Sequence, residues 1–223
     1  MEWEVIPTLS FSIESSSTFT VPKGVKKIDV FCVGGGGAGG SYTPNVTNGG
    51  SSIVGDICTA AAGCSGNTPF GQNGGSGGGG SGSTNMFSDA PFYGGKGGSD
   101  GGSGGEGYGS SGSIGGGSGQ GTTTRYFGES NGTLYSNGGD GGVCGASSPP
   151  TSIRGANTGD GLEGAGGFAN GGGGGGGYTT TKLGVDVNPG QQISVTVGAG
   201  GTGKYSNPES AASGICIIRW GKR

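Results

Sequence analysis

Apolar and polar residues alternate in short runs at both ends of the chain and almost nowhere between them. Trp3 and Val5, then Leu9, Phe11 and Ile13, then Phe19 and Val21 each follow a two-residue period, and Ile28–Val33 is a nearly continuous apolar run. A period of two puts successive side chains on opposite faces of an extended chain, so each run predicts a β-strand with one face toward a core. The far end repeats the pattern at Leu183, Val185 and Val187, at Ile193, Val195 and Val197, and across Ile215–Trp220, with Pro189-Gly190 as a turn between the first two. No window carries apolar residues at i, i+3, i+4 and i+7 over ten residues, and glycine in place of alanine costs a helix about 1 kcal/mol per position. The expected fold is all-β with essentially no α-helix.

Glycine divides the chain into three parts. Residues 34–178 hold 55 of the 64 glycines, whereas 1–33 and 179–223 hold the other 9 together with both tryptophans. The N-terminal strands (1–33) and the C-terminal strands (179–223) each make only half a sheet. The simplest closure is a small antiparallel β-sandwich built from both ends, with 34–178 inserted. Together the two flanks have 78 residues, near the lower limit for a self-sufficient core. Support from the insert or from oligomerisation is therefore expected.

Composition narrows the chemistry. Only 28% of residues are hydrophobic and 11% charged, against about 25% charged in an ordinary domain. The absence of His removes His-based acid–base catalysis, Ser-His-Asp and Cys-His arrangements, and every His-containing metal site. The carboxylates Asp56, Asp89, Asp100, Glu106, Glu129, Asp140, Asp160 and Glu163 show no pairing. No catalytic residue, metal site or cofactor is expected, and the protein is read as non-enzymatic. Net charge is -3 with scattered Lys and Arg, which leaves no footprint for nucleic acid. No apolar run approaches the 18 residues of a membrane span, and Met1-Glu2-Trp3-Glu4 does not open like an export signal. Cys32, Cys58, Cys64, Cys144 and Cys216 form an odd set with no CxxC, supporting neither a disulfide framework nor zinc. Cys32 and Cys216 both lie in predicted strands, as small core residues or facing each other.

Two motifs look like chemistry and are not. Gly198-Ala199-Gly200-Gly201-Thr202-Gly203-Lys204 nearly satisfies the phosphate-loop pattern, but Tyr205 stands where the Mg²⁺-binding Ser or Thr belongs, and Ser206-Asn207-Pro208 opposes the helix that must follow. Asp100, Asp140 and Asp160 miss the offsets of a calcium-binding β-helix repeat.

The insert has two readings. Gly/Ser-rich chains behave as flexible coils, and ordering glycine is costly in entropy. Against a plain linker stand its length and its aromatics, among them Phe70, Phe87, Phe92, Tyr93, Tyr108, Tyr126, Phe127, Tyr135, Phe168 and Tyr178. Gly94-Gly95-Lys96-Gly97-Gly98-Ser99 and Gly101-Gly102-Ser103-Gly104-Gly105-Glu106 place two glycines and one polar residue in each triplet. A three-residue helix of the polyproline II type makes no internal hydrogen bonds, so its N–H and C=O groups point outward. With glycine on two of three faces, neighbouring helices approach closely enough to hydrogen-bond each other directly. The expectation is a bundle of polyglycine-type helices joined by aromatic loops.

The boundary motifs carry a resemblance. Phe19-Thr20-Val21-Pro22-Lys23-Gly24-Val25 and Ile28–Val33 running into Gly34-Gly35-Gly36-Gly37-Ala38-Gly39-Gly40 resemble the opening of the glycine-rich domains of bacteriophage tail and tail-fibre proteins. Gly171–Gly177 with Tyr178, Pro189-Gly190-Gln191, Ile193–Gly201 and Gly214–Trp220 are similar to the closing half. The likeness spans about residues 17–220. It implies a β-sandwich frame with polyglycine helices, as in phage distal adhesins and, more remotely, the glycine-rich ectodomain of some receptor tyrosine kinases. It also implies loops that contact a host cell-surface receptor, carbohydrate or protein. The loop aromatics Phe92, Tyr93, Tyr126, Phe127 and Tyr135 are the candidate contacts; alternatively they pack against the bundle as local plugs. Other tail proteins and a homo-oligomeric or larger assembly would be the remaining partners. The implied location is the virion, assembled in the host cytoplasm and acting outside the cell. A purely structural spacer or cap is the alternative role.

Overall fold

The structure, a computed structural model, describes residues 8–39, 46–65, 73–75, 97, 125–138, 173–203 and 210–221. Its strands are β1 (Leu9–Ile13), β2 (Ser17–Thr20), β3 (Lys27–Val33), β4 (Ser52–Val54), β5 (Cys58–Ala60), β6 (Thr179–Asp186), β7 (Gln192–Thr196) and β8 (Ile215–Trp220). One sheet runs β1-β8-β3-β6 and the other β2-β7-β4-β5, with antiparallel pairing throughout. The described residues contain no α-helix, only a 3₁₀ turn at Tyr126–Gly128. The chain is all-β, and its two sheets stack as the sandwich that the flanking runs predict, both flanks supplying strands to both sheets. Trp3 and Val5 lie outside the described residues.

One difference concerns where strands come from. β4 and β5 arise inside 34–178, as three-residue strands too short to show a two-residue period. They are joined by Gly55-Asp56-Ile57, where Gly55 takes a φ of 49° that side chains resist.

The core between the sheets gathers Phe19, Val21, Ile28, Val30, Val54, Ile193, Val195 and Ile218 with Cys32, Cys58 and Cys216. β3 and β8 are central strands buried on both faces, which explains why their sequences read as apolar runs. Their second face, Phe31, Val33, Ile215 and Ile217, would meet water if left bare. The segment 125–138 lies over it, with Phe127 buried and Tyr126 and Tyr135 packed alongside. The glycine-rich stretch thus completes a core that the flanks alone leave half open.

At Val33 the chain passes from β3 straight into extended backbone with a different repeat. The N–H of Gly34 donates to the carbonyl of Tyr178 and that of Gly37 to Gly175, a step of three residues along both chains. Gly35 donates to Gly50 and Ala38 to Thr47; Gly50 to Ala199 and Thr47 to Thr202; Tyr178 to Ala61 and Gly175 to Cys64; Gly214 to Gly198 and Ala211 to Gly201. Each pair steps by three and runs antiparallel, at 2.7–3.2 Å. Three residues per turn is the repeat of polyproline II, whose outward backbone groups need external partners. Glycine is required at the crossings by space: a Cβ on Gly34 would land on the carbonyl of Ala61, one on Gly198 on that of Gly50, and one on Gly177 on that of Gly34. The triplets at 94–106, apart from Gly97, lie outside the described residues.

Candidate functional site

Side-chain chemistry concentrates on the outer face of the first sheet. Asp29 interrupts the apolar run of β3, and Arg219 interrupts that of β8. The two are direct cross-strand partners, and Arg219 Nε donates to Asp29 Oδ2 at 3.1 Å. Asp29 Oδ1 accepts the Gly184 N–H at 2.7 Å. That second bond depends on a bulge. The β3–β6 register slips between Ile28 and Val30, so Leu183 and Gly184 stand opposite Asp29 alone, and Gly184 adopts φ 65°. The bulge delivers an N–H to the carboxylate and leaves Leu183 53% exposed.

The 125–138 segment supplies the other wall. The Arg219 guanidinium lies 3.9 Å from the centre of the Phe127 ring, and its NH1 donates to Glu129. Burial lowers the Arg219 pKa, and hydrogen bonds to Glu129 and Asp29 more than offset it, so the net shift is upward. The guanidinium is fixed on three sides. Next to it opens a cavity of about 590 Å³ bounded by Lys27, Asp29, Glu129, Leu183, Arg219 and Trp220. Lys27 Nζ donates to Asp186 Oδ1 at 2.7 Å at its rim.

The structure brings three of the five aromatics singled out from sequence to one place. Phe31 is their hub, with ring centres 5.8 Å from Tyr126, 5.7 Å from Phe127 and 5.4 Å from Tyr135. Tyr126 and Phe127 meet edge to face at 4.8 Å. Phe127 is 3% exposed, while Tyr126 and Tyr135 keep part of their surface open. Burial, with Tyr126 nearby, raises the Tyr135 pKa. Phe127 holds its position at φ 51°, a strained setting for a residue with a side chain. Phe92 and Tyr93 lie outside the described residues. Sequence reading missed Asp29, Arg219, Leu183 and Trp220 as a group. The available signal was a charged residue in the middle of each of the two most apolar strands.

Two other candidates resolve into structure. In the phosphate-loop look-alike the N–H groups of Gly198, Gly201 and Thr202 donate to Ser52 Oγ, the Gly36 carbonyl and Thr47 Oγ1. These groups hold the glycine lattice together instead of cradling an anion. In the core, Cys32 faces Cys216 in register, with Cys58 beside them from the other sheet. Hydrogen bonds with Cys216 and Cys58, then burial, push the Cys32 thiol far above its ordinary range. Cys58, on the other side of that bond, is drawn down. Among the described residues no three His, Cys, Asp or Glu side chains are arranged to hold a metal ion.

No curated protein and no solved structure matches the chain. A family model described as a glycine-rich domain matches residues 12–52, the stretch that carries the end of β1, β2, β3 and the first two lattice segments.

Proposed function

We propose that the chain is a non-enzymatic phage virion protein, of a tail fibre or tail tip, that binds a carbohydrate receptor on the host cell surface. The supporting observation is the division of labour in the molecule. Backbone hydrogen bonds between glycine segments build the body, and among the described residues one aromatic cluster, Phe31 with Tyr126, Phe127 and Tyr135, lies beside the Asp29–Arg219–Glu129 group on the outer face of the first sheet. The motif succession from Phe19 to Trp220 resembles that of phage tail domains, and the match at 12–52 supports a glycine-rich domain. Aromatic and aliphatic surface beside paired charges suits sugars, which offer apolar faces and hydroxyls without net charge.

A structural spacer is the second reading, favoured by the burial of Phe127 against Phe31. Binding of the purified, labelled protein to intact cells, scored across bacterial strains that differ in defined surface polysaccharides, separates the two. Saturable binding that follows one polysaccharide, and falls in Tyr126→Ala, Tyr135→Ala or Tyr93→Ala with the far-UV spectrum unchanged, supports the receptor reading. Absence of binding to every strain favours the spacer.

A further inference from the structure

We infer that the cavity between the β6 bulge and Arg219 is a binding site for a neutral hexopyranose, a reading that rests on the receptor-binding function and gives it a place. The cavity of about 590 Å³ is in the range of small-molecule sites, roughly 300–1,000 Å³.

Its lining specifies an uncharged polyol. Every charge at the mouth already has an opposite partner: Arg219 with Asp29 and Glu129, and Lys27 with Asp186. An anion would have to compete with two carboxylates for Arg219, and a cation with a guanidinium for the carboxylates. Hydroxyl groups face no such competition, because a carboxylate oxygen engaged in an ion pair can still accept a further hydrogen bond from a sugar O–H, and an ammonium group can donate to a sugar oxygen. Adjacent acceptors and donors on one rigid frame match the vicinal diols of a pyranose.

Leu183 supplies the apolar element. It is one of three large hydrophobic residues left exposed among the described residues, and the bulge that exposes it also anchors Asp29. Beside the polar groups it offers a surface to the C–H face of a sugar ring. The polar groups are held before any ligand arrives. Asp29 is fixed by Gly184 N–H and Arg219, and Arg219 is fixed by Asp29, Glu129 and the Phe127 ring. Such preorganisation lowers the entropic cost of binding.

The test is an amide and indole chemical-shift titration of the full-length protein with methyl hexopyranosides of gluco, galacto and manno configuration, with glucuronate and glucosamine as charged comparators. Saturable shifts at the amides of Gly184 and of Gly221, which also lines the cavity, with at least one neutral sugar, weaker by about tenfold in Leu183→Asp and unchanged in Lys23→Ala, support the site. Leu183 is exposed, so its replacement leaves the core intact, and a retained amide spectrum verifies this. No shift with any neutral sugar, or shifts with glucuronate or glucosamine alone, overturns it. The cell-binding assay is read in parallel on Leu183→Asp. Wild-type and variant binding alike would remove this cavity while keeping the receptor function, whereas no binding by wild type would remove the function itself.

Discussion

Cys32 on β3 and Cys216 on β8 stand directly opposite each other, both fully buried, with the Cys58 thiol reaching them from the facing sheet. Three thiols at the centre of a sandwich behave as small apolar groups until something exposes them. The expected outcome of alkylation followed by peptide mass mapping is that Cys32, Cys58 and Cys216 stay unlabelled in the native protein and label fully in denaturant. Labelling of Cys32 in the native state would show that the sheets open.

The same cluster gives a pH dependence. The folded Cys32 thiol titrates above its ordinary value of 9.0. Its contribution to stability is therefore complete below pH 9 and declines above it, because the unfolded chain then releases a proton that the folded chain keeps. Measured by urea unfolding between pH 9 and 11, the advantage of wild type over Cys32→Ala should shrink as pH rises, by up to about 1.4 kcal/mol per pH unit. An advantage that grows above pH 9 would contradict the direction.

Glycines of two kinds should respond differently to alanine. At Gly34 and Gly198 a Cβ meets a backbone carbonyl that cannot move without parting two lattice segments. These substitutions should cost more than about 3 kcal/mol, in the range of severe overpacking, or prevent folding. Gly24 and Gly190 have open space around the position but φ values of 83° and 81°. Alanine there should cost about 1–2 kcal/mol, the strain of a left-handed residue. Equilibrium unfolding of the four variants checks the contrast.

Ion pairs should divide by burial. Asp29→Ala takes the acceptor from the Gly184 N–H and one of the two carboxylate partners from the part-buried Arg219, and is expected to cost about 2–3 kcal/mol. Lys27 and Asp186 form a shorter pair, 2.7 Å against 3.1 Å, but their side chains are 59% and 85% exposed. Lys27→Ala should cost under about 1 kcal/mol. Thermal melts of the two variants test the difference.

Phe31→Ala removes the ring on which Tyr126, Phe127 and Tyr135 converge. A loss of about 3–5 kcal/mol is expected. Limited proteolysis should then cut within 125–138 before anywhere in β3 or β8, since that segment is held to the sheet chiefly by these rings.

The strands were legible where side chains alternate over at least four residues, as at Leu9–Ile13 and Ile193–Val197. β4 and β5 were not, because three residues cannot display a two-residue period and the pairing of β4 with β7 is set by tertiary contact. The candidate site was half legible. Tyr126, Phe127 and Tyr135 stand out as aromatics among glycines, but their convergence on Phe31 depends on a chain reversal no local pattern encodes. Asp29 and Arg219 meet across 190 residues of sequence, and only the strand register aligns them. The exposure of Leu183 comes from a bulge whose one local trace is the neighbouring Gly184.

The three-residue step of the glycine lattice sets a rule for how this molecule can change length. Removing one or two residues from 34–39 or 173–178 would rotate every later N–H of that segment toward the wrong neighbour, whereas removing three would restore the aim of all of them. Growth and shrinkage of these segments are thereby quantised in triplets, and a lineage of such proteins can lengthen its body by whole turns while the sandwich and the face it carries stay as they are.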